Sequence, residues 1–373
     1  MSRERRSVGR ARRIFLAATG QNRGKTTLSL GMAAAIVQQG HRLGFLKPVG
    51  QRYLMVDGVP ADEDAVLLRE VFGLADPLAL MSPVTLPRGF TTDYVMGRIA
   101  PDLAQSVREA ERVLAQDKDV VLIEGTGHAG VGAVVGVSNA KVAALLEAPV
   151  IIVSEGGVGR PIDEIILNQA LFERHGVRIL GAAVNKVNVA ANPKLPEVLR
   201  RGLAMHGIEL LGCLPYSELL ANPSLELVAT HLSGELLSGA PTGETIGQVA
   251  IGAMQADHAV PFLRNRTLLI TPGDRDDMLE VVLAANRSAG EAGTPRRVAG
   301  VVLTGGFRPS PARLEALRAA NLFALLVEGD TYTTAESVHD ILVKTHAGDT
   351  EKIETIIDLV GGALNVDDLL ARV

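Results

Sequence analysis

The stretch that decides the fold reads Thr-Gly-Gln-Asn-Arg-Gly-Lys-Thr-Thr at residues 19–27. It follows the apolar run 14–18 and precedes the apolar run 28–37. The order is therefore strand, glycine-rich turn and helix, which is the setting of a phosphate-binding loop. Backbone amides in such a turn, and the start of the helix behind it, present N–H groups to phosphate oxygens. We predict that this loop binds a nucleotide.

The residues of the loop have separate predicted tasks. We expect Lys25 to reach the β- and γ-phosphates as a point charge and Thr26 to place its hydroxyl on a Mg²⁺ ion. The remaining predicted contacts to the nucleotide come from Gly20, Asn22, Gly24 and Thr27. The usual pattern has a glycine where this chain has Thr19. The alternative interpretation is a glycine-rich turn with a surface lysine.

Composition limits the class of protein. A chain of 373 residues is long enough for about two domains. The net charge of −5 gives no electrostatic case for a nucleic-acid or anionic-membrane partner. No apolar run reaches the roughly eighteen residues that a membrane span needs. The single cysteine, Cys213, lies in the apolar run 210–214 and indicates a buried thiol in a reducing cytoplasm.

Short apolar runs alternate with longer amphipathic stretches from residue 14 onward. This alternation is typical of an α/β fold in which parallel strands are joined by crossover helices. Residues 222–245 are rich in Pro, Gly, Ser and Thr, and a second α/β series follows them. We predict three segments: a basic, disordered leader at 1–13, a phosphate-loop domain at 14–222, and a smaller domain with C-terminal helices at 223–373. A targeting or nucleic-acid-binding arm is the alternative for the leader.

Polar residues close several of the predicted strands. Lys47 ends the second, Glu124 ends the third, and Asn185 ends the fifth. Ligands bind at the carboxyl ends of strands in open parallel sheets. We therefore expect these three side chains to line one rim with the loop.

Together these segments resemble the dethiobiotin synthetase-like P-loop proteins, and within them the N-terminal region of long phosphotransacetylases. The resemblance is carried by Lys-Pro-Val at 47–49 and Glu-Gly-Thr-Gly at 124–127. In the second half, Gly-Asp-Arg at 273–275 and Thr-Gly-Gly at 304–306 are similar to the two marks of a DRTGG domain. The fold that the resemblance implies is a P-loop NTPase-like parallel sheet followed by a smaller α/β DRTGG-type domain.

The resemblance also implies roles for single residues. Lys47 matches a catalytic lysine that faces the phosphate and the second substrate. Asp64 and Glu124 match magnesium ligands that act with Thr26, and Asn185 and Pro215 match residues that hold adenine. Other interpretations remain open: an exposed lysine at a strand end, a solvated helix start at 62–64, and a turn-forming asparagine.

Two functions are compatible with these residues. In the first, ATP and Mg²⁺ bind in the first domain, and the protein is a nucleotide-dependent regulator or sensor whose second domain reports to a protein partner or binds a small anionic metabolite. In the second, ATP phosphorylates a small carboxylate or carbamate before a nitrogen attacks it, as in an ATP-dependent carbon–nitrogen ligase. An ATPase is the other enzyme class that these residues leave open. An inert structural module is a third reading. Because the chain ends at Val373, we predict that it is not a phosphotransacetylase. Similar proteins imply a homodimer.

Overall fold

The computed structural model describes residues 10–264, 266–287, 298–341 and 343–373. The chain divides into two compact units. The first unit comprises Met1–Tyr216 together with His346–Val373, and the second comprises Ser217–Thr345. The α/β class that the sequence predicts is confirmed in both.

Among the described residues, the first unit is built on a sheet of six parallel strands, here called the first sheet, in the order β10-β9-β8-β1-β7-β2. Its strands are β1 (Arg12–Ala18), β2 (Leu43–Leu46), β7 (Val120–Glu124), β8 (Val150–Glu155), β9 (Ile179–Val187) and β10 (Leu210–Pro215). Short pairs complete the unit, namely β3 (Val49–Gly50) with β6 (Val84–Thr85), and β4 (Tyr53–Val56) with β5 (Val59–Asp62). The central strands are apolar except at their ends, because both faces of a parallel sheet are covered.

Helices connect and cover these strands. In the first part of the unit they are α1 (Lys25–Gln38), α2 (Glu63–Phe72), α3 (Leu78–Met81), α4 (Phe90–Val95), α5 (Leu103–Leu114), α6 (Asn139–Leu145), α7 (Gly159–Arg174) and α8 (Leu195–Ala204). After the second unit the chain returns with α15 (Thr350–Ala363) and α16 (Val366–Ala371).

Helix α1 is buried on nearly all sides, which explains why its sequence is apolar without a polar face. One side packs on the first sheet, and another packs on α15. A Cβ atom on Gly31 would lie 2.2 Å from Cβ of Val360, so the two helices meet at a position where only glycine fits. At the end of α15, the carbonyl oxygen of Ala363 approaches Gly212 of β10 in the same way.

The second unit has its own sheet, here called the second sheet, with five strands among the residues described, in the order β11-β15-β14-β13-β12. They are β11 (Glu235–Ser238), β12 (Gln248–Ile251), β13 (Thr267–Pro272), β14 (Val298–Thr304) and β15 (Phe323–Leu326). Strand β11 pairs antiparallel with β15, and the other neighbours are parallel. The helices are α9 (Glu218–Ala221), α10 (Leu225–Leu232), α11 (Ala256–Ala259), α12 (Asp276–Arg287), α13 (Pro311–Ala319) and α14 (Thr331–His339).

Two predicted segments differ from this organisation. Residues 346–373 were assigned to the second domain, whereas the structure groups them with the first unit because α15 and α16 pack there. Residues 1–9 of the predicted leader lie outside the described residues. Arg12 and Arg13, at its end, already belong to β1, since Arg12 pairs with Val120 of β7 and Arg13 forms an ion pair of 2.7 Å with Glu111.

Within the described ranges, no helix combines the length and the apolar character that crossing a membrane requires.

Candidate functional site

The candidate site lies at the carboxyl ends of the strands of the first sheet. The loop 19–24 joins β1 to α1, Lys47 follows β2 directly, and Glu124 is the last residue of β7. Strand β7 lies between β1 and β2, so these three ends are adjacent. The structure therefore brings Lys47 and Glu124 to the loop, as the strand pattern predicts.

Two residues of the loop have left-handed backbone conformations, Asn22 with φ of 57° and Gly24 with φ of 97°. Gly24 precedes α1, and a Cβ atom there would lie 1.9 Å from Nδ2 of Asn185. Glycine is required on both grounds, because a side chain would be strained and would also collide with the asparagine. The exposed Asn22 and the half-buried Thr27 flank the turn and the helix start, and Gly20 lies in the turn beside the Arg23 side chain.

Five polar side chains meet behind the loop, and we call them the Lys47 cluster: Thr26, Ser29, Lys47, Asp64 and Glu124. The Nζ atom of Lys47 donates to Oδ2 of Asp64 and, at 3.0 Å, to Oε1 of Glu124. The Thr26 hydroxyl lies 3.0 Å from Oδ1 of Asp64 and 3.2 Å from Oε1 of Glu124. Ser29 donates to Oε2 of Glu124 at 2.6 Å. An ammonium group and two carboxylates are thus joined in one network.

This network is deeply buried. Lys47 is 3% exposed and Glu124 is 1% exposed, so the alternative of a solvent-exposed strand-end lysine is wrong. Asp64 lies in the first turn of α2, where Asp62 accepts the backbone N–H of Asp64 at 3.0 Å as an N-cap. The side chain of Asp64 remains 24% exposed and forms the open side of the cluster.

The buried charges shift one another's pKa values. Burial disfavours the ammonium group, but the surrounding carboxylates outweigh burial and raise the pKa of Lys47. Burial opposes the charged form of Asp64 too, yet the contact with Lys47 lowers the pKa of Asp64. Burial and the charge of Asp64 raise the pKa of Glu124, against the attraction of Lys47. Lys47 therefore stays protonated, and Asp64 is the carboxylate that holds its negative charge most firmly.

Lys25 is a second buried cation beside this cluster. Burial lowers the pKa of Lys25 to about 8, the nearby Glu124 works in the opposite direction, and repulsion from Lys47 adds to the decrease. A buried ammonium group with a lowered pKa is incompletely compensated by its neighbours and gains from an anion placed beside it. The side chain is thus suited to receiving a phosphate oxygen.

The tip of the loop is fixed by ion pairs that the sequence interpretation missed. Arg23 contacts Glu155 at the end of β8, and Lys186 donates to the same carboxylate at 2.6 Å. Lys186 also lies 3.3 Å from the carbonyl oxygen of Asn22. The sequence could have indicated that Glu155 and Lys186 lie near the loop, because both stand next to predicted strand ends.

Asn185 and Pro215 occupy the same rim. Asn185 belongs to β9, opposite Glu155 of β8, and so is not in a turn after the strand. Its amide nitrogen lies 3.4 Å from the carbonyl oxygen of Arg23, against the loop. Pro215 is the exposed last residue of β10 and pairs with Val187. A role in holding adenine stays a prediction for both residues.

Ser29 and Asp62 are further site residues that the sequence interpretation did not identify. Ser29 lies four residues after Lys25, so both are on the same face of α1. Because this face is buried, its polar residues indicate a polar partner, and Ser29 finds it in Glu124. Asp62 was visible only as part of an acidic run, and its place 3.9 Å from Nζ of Lys47 depends on the tertiary fold.

The oxygen-rich side of the Lys47 cluster fits a hard divalent cation. The hydroxyl of Thr26 and the carboxylates of Asp64 and Glu124 are the kinds of ligand that Mg²⁺ binds. Over the described part of the chain there is no group of three or more His, Cys, Asp or Glu residues placed to hold a metal ion. At a nucleotide, Mg²⁺ usually takes most of its ligands from phosphate oxygens and water, with one or two from protein carboxylates.

The two glycine motifs of the second unit also meet on one rim, at the ends of β13 and β14. The N–H of Gly273 donates to the carbonyl of Thr304 at 3.1 Å. The Arg275 guanidinium donates to Asp277 in the first turn of α12 and to the carbonyl oxygens of Gly252 and Met254, at 3.2 and 3.0 Å. Helix α12 begins at Asp276, directly after Arg275. These contacts stabilise the turn and indicate no chemistry.

Curated relatives match nearly the whole chain. A phosphate acetyltransferase of Nitrosomonas europaea is 28% identical over 374 residues, which cover 96% of this chain and 51% of the relative. A phosphate acetyltransferase of Pseudomonas aeruginosa is also 28% identical and covers 96% of this chain and 52% of its own length. The chain thus spans about half the length of the curated relatives it matches.

These relatives contradict the predicted enzyme class. We expected a protein that is not a phosphotransacetylase, on the ground that the chain ends at Val373, and considered an ATPase or a carbon–nitrogen ligase instead. That prediction is wrong, because proteins similar over 96% of the chain are named phosphate acetyltransferase. The end of the chain carries no conclusion about activity.

A solved structure of the CBS and DRTGG domains of the regulatory region of a Clostridium perfringens pyrophosphatase covers 38% of this chain and 62% of its own. It has a TM-score of 0.28 and 21% identity, which is too distant to support an argument.

Family comparison agrees with the division of the fold. Residues 227–341 match the DRTGG domain. Residues 12–224, which include the loop and the whole Lys47 cluster, match a family described as AAA domain, AAA_26. Since this match spans more than half of the chain, the protein belongs to the AAA_26 family of AAA domains.

Proposed function

We propose that the first unit binds ATP with Mg²⁺ and that the chain is the nucleotide-dependent regulatory region of a phosphate acetyltransferase. The observation that carries the nucleotide site is the meeting of Lys25, the loop and the Lys47 cluster at one strand-end rim. Two cations and two carboxylates in one buried site are costly without a function or a ligand. A polyphosphate with a divalent cation complements both sets of charges.

Each group at this site would have its own role in binding. The backbone amides of the loop and the Lys25 ammonium would hold the β- and γ-phosphates, while Thr26, Asp64 and Glu124 would hold the cation. When bound, Mg²⁺ neutralises part of the phosphate charge. Lys47 would face the terminal phosphate from the opposite side, as in the dethiobiotin synthetase-like proteins. Adenine would lie near Asn185 and Pro215.

The regulatory part of the proposal is supported by how the chain is connected. The chain leaves the first unit after β10, whose last residue is Pro215, and returns through α15. Helix α15 packs on α1, the helix that carries Lys25 and Thr26. Both connections of the second unit therefore run through elements next to the nucleotide site. The relatives' name indicates the activity under control, and a homodimer is retained as part of the proposal.

Isothermal titration calorimetry of ATP into the full chain with Mg²⁺ tests the nucleotide site. We expect saturable one-site binding and a loss of at least about 3 kcal/mol in Lys25→Ala, because a charge-assisted contact to phosphate and a buried cation are both removed. The matched control is Lys118→Ala. Lys118 forms a 3.0 Å ion pair with Asp76 and lies near the opposite end of β7, away from the loop. Equal binding by Lys25→Ala and the unaltered chain would refute the site.

Hydrogen exchange with and without Mg·ATP tests the regulatory role. We expect slower exchange in the loop and α1, and changed exchange in α15 and in residues 217–345. Changes confined to the loop and α1 would contradict regulation. A chimaera of this chain with the remaining half of the Nitrosomonas europaea relative then reports whether ATP alters acetyl transfer to phosphate, and whether Lys25→Ala removes that effect.

A further inference from the structure

Lys47 lies between the two carboxylates that would hold a divalent cation. Its Nζ atom contacts Asp64 and lies 3.0 Å from Glu124, and the Thr26 hydroxyl reaches both carboxylates from the other side. The groups that would hold Mg²⁺ are thus already joined through a positive charge from the protein itself. A cation that bridged the same two carboxylates would meet the ammonium group.

Each carboxylate oxygen of the cluster already has a donor. In Asp64, Oδ1 faces the Thr26 hydroxyl and Oδ2 accepts from Lys47. In Glu124, Oε1 accepts from Lys47 and lies near Thr26, while Oε2 accepts from Ser29. A metal ion that bound these oxygens would have to share them with these donors. Lys47 is the donor that has to leave, because its ammonium group and a metal ion cannot both contact these oxygens without strong repulsion.

The ammonium group is held in place by its surroundings. The Lys47 side chain is 4% exposed, and its backbone N–H donates to Met81 at 2.7 Å. Leaving the carboxylates would require another anion within reach, since a buried ammonium without a partner is costly. A nucleotide phosphate at the loop supplies such an anion and adds oxygen ligands for the metal at the same time.

We propose that Lys47 competes with the divalent cation for the carboxylates of Asp64 and Glu124, so that the site excludes the metal until nucleotide phosphates draw Lys47 away. This inference rests on the proposed nucleotide site and adds an order to it. The cation enters with the nucleotide, and the nucleotide-free protein keeps its carboxylates paired with lysine. Lys47 is in this sense a positioning residue as well as a phosphate-facing cation.

The test measures binding of Mn²⁺, a spectroscopic substitute with similar oxygen ligands, to the full chain without nucleotide. Free Mn²⁺ is followed by electron paramagnetic resonance during titration of the unaltered chain, Lys47→Met, Lys47→Gln and Lys118→Met. The glutamine variant keeps a donor for the carboxylates and removes only the charge. Circular dichroism establishes that each variant is folded. Lys118→Met controls for removing a lysine from an ion pair elsewhere in the first unit.

We expect the unaltered chain and Lys118→Met to bind Mn²⁺ weakly, and a folded Lys47 variant to bind it about tenfold more tightly or better. Adding Asp64→Asn to that variant should abolish the gain. Micromolar Mn²⁺ binding by the unaltered chain would overturn the proposal even if neither Lys47 variant folds, and so would folded variants with no gain. If ATP with Mn²⁺ binds to the unaltered chain but the Lys47 variants show no gain in Mn²⁺ affinity, only the competition between Lys47 and the metal is refuted. If ATP itself does not bind, the proposed function fails.

Discussion

The ionisation of Lys25 should make the ATP affinity of the site depend on pH. Burial lowers the pKa of Lys25 to about 8 in the nucleotide-free protein, and phosphates would raise it again because they favour the charged form. ATP binding should therefore take up protons above pH 8, and affinity should be constant below that value. We expect ATP affinity to fall as pH rises through 8, by up to about tenfold per pH unit.

Calorimetry between pH 6.5 and pH 9.5, in buffers of different ionisation enthalpy, measures both the affinity and the proton uptake. Lys25→Arg is the matched control, because a guanidinium group remains protonated over this range and should remove the slope. Affinity that is flat to pH 9.5 in the unaltered chain would contradict the assigned contact.

Gly24 shows why the loop needs glycine at one position. Gly24→Ala would combine a left-handed backbone with a collision against Asn185, so we expect ATP binding to weaken by about 2 kcal/mol. The control is Gly40→Ala, which has a φ of 79° but open space around it and should cost only about 1 kcal/mol of stability. Calorimetry and urea unfolding separate the two effects. Equal ATP affinity in both variants would show that the collision is unimportant.

Elements could be predicted where the sequence pattern is continuous. Buried parallel strands such as β7 and β8 consist of apolar runs of four residues followed by polar residues at their carboxyl ends, so their positions follow from the sequence. Helix α14 begins at Thr331 because Asp330 caps it by accepting the N–H groups of Tyr332 and Thr333. Ser29 was missed because α1 is covered on opposite sides. Its sequence therefore shows no periodic pattern that would mark the side carrying Ser29 as the side facing the site.

The contact between α1 and α15 is the element-level feature that the sequence could not reveal, since the two helices are far apart in the chain. Gly31→Val should force the helices apart at Val360, and we expect it to lower the free energy of unfolding by about 2 kcal/mol. Gly361→Ala on α15 has open space and should raise it by roughly 0.5–1 kcal/mol. Urea unfolding measures both. If Gly31→Val is as stable as the unaltered chain, α15 does not pack as described.

At the scale of the whole molecule, the sequence pattern indicates two domains but does not indicate that residues 346–373 belong to the first of them. Composition marks the first boundary near residue 222 through its turn-forming residues, but the return near residue 346 has no such signal. Packing positions the C-terminal segment on the first unit. Gly212 of β10 lets the end of α15 approach closely, and Arg372 forms an ion pair of 2.6 Å with Glu209. The residues of the site could be predicted in part, because several of them stand at strand ends. Their contacts with one another could not, because these contacts depend on the order of the strands in the sheet.

At the same scale, Mg·ATP is proposed to bind where the loop, Lys25 and the Lys47 cluster meet. A crystal of the full chain grown with ATP and Mn²⁺, with the metal located by its anomalous scattering, tests this claim most directly. We predict one strong peak within about 2.2 Å of oxygens from Thr26 and at least one of Asp64 and Glu124, with the phosphates on the loop and Lys47 moved toward them. Ordered ATP at another place, or metal and phosphates on the loop while Lys47 still bridges both carboxylates, would contradict it.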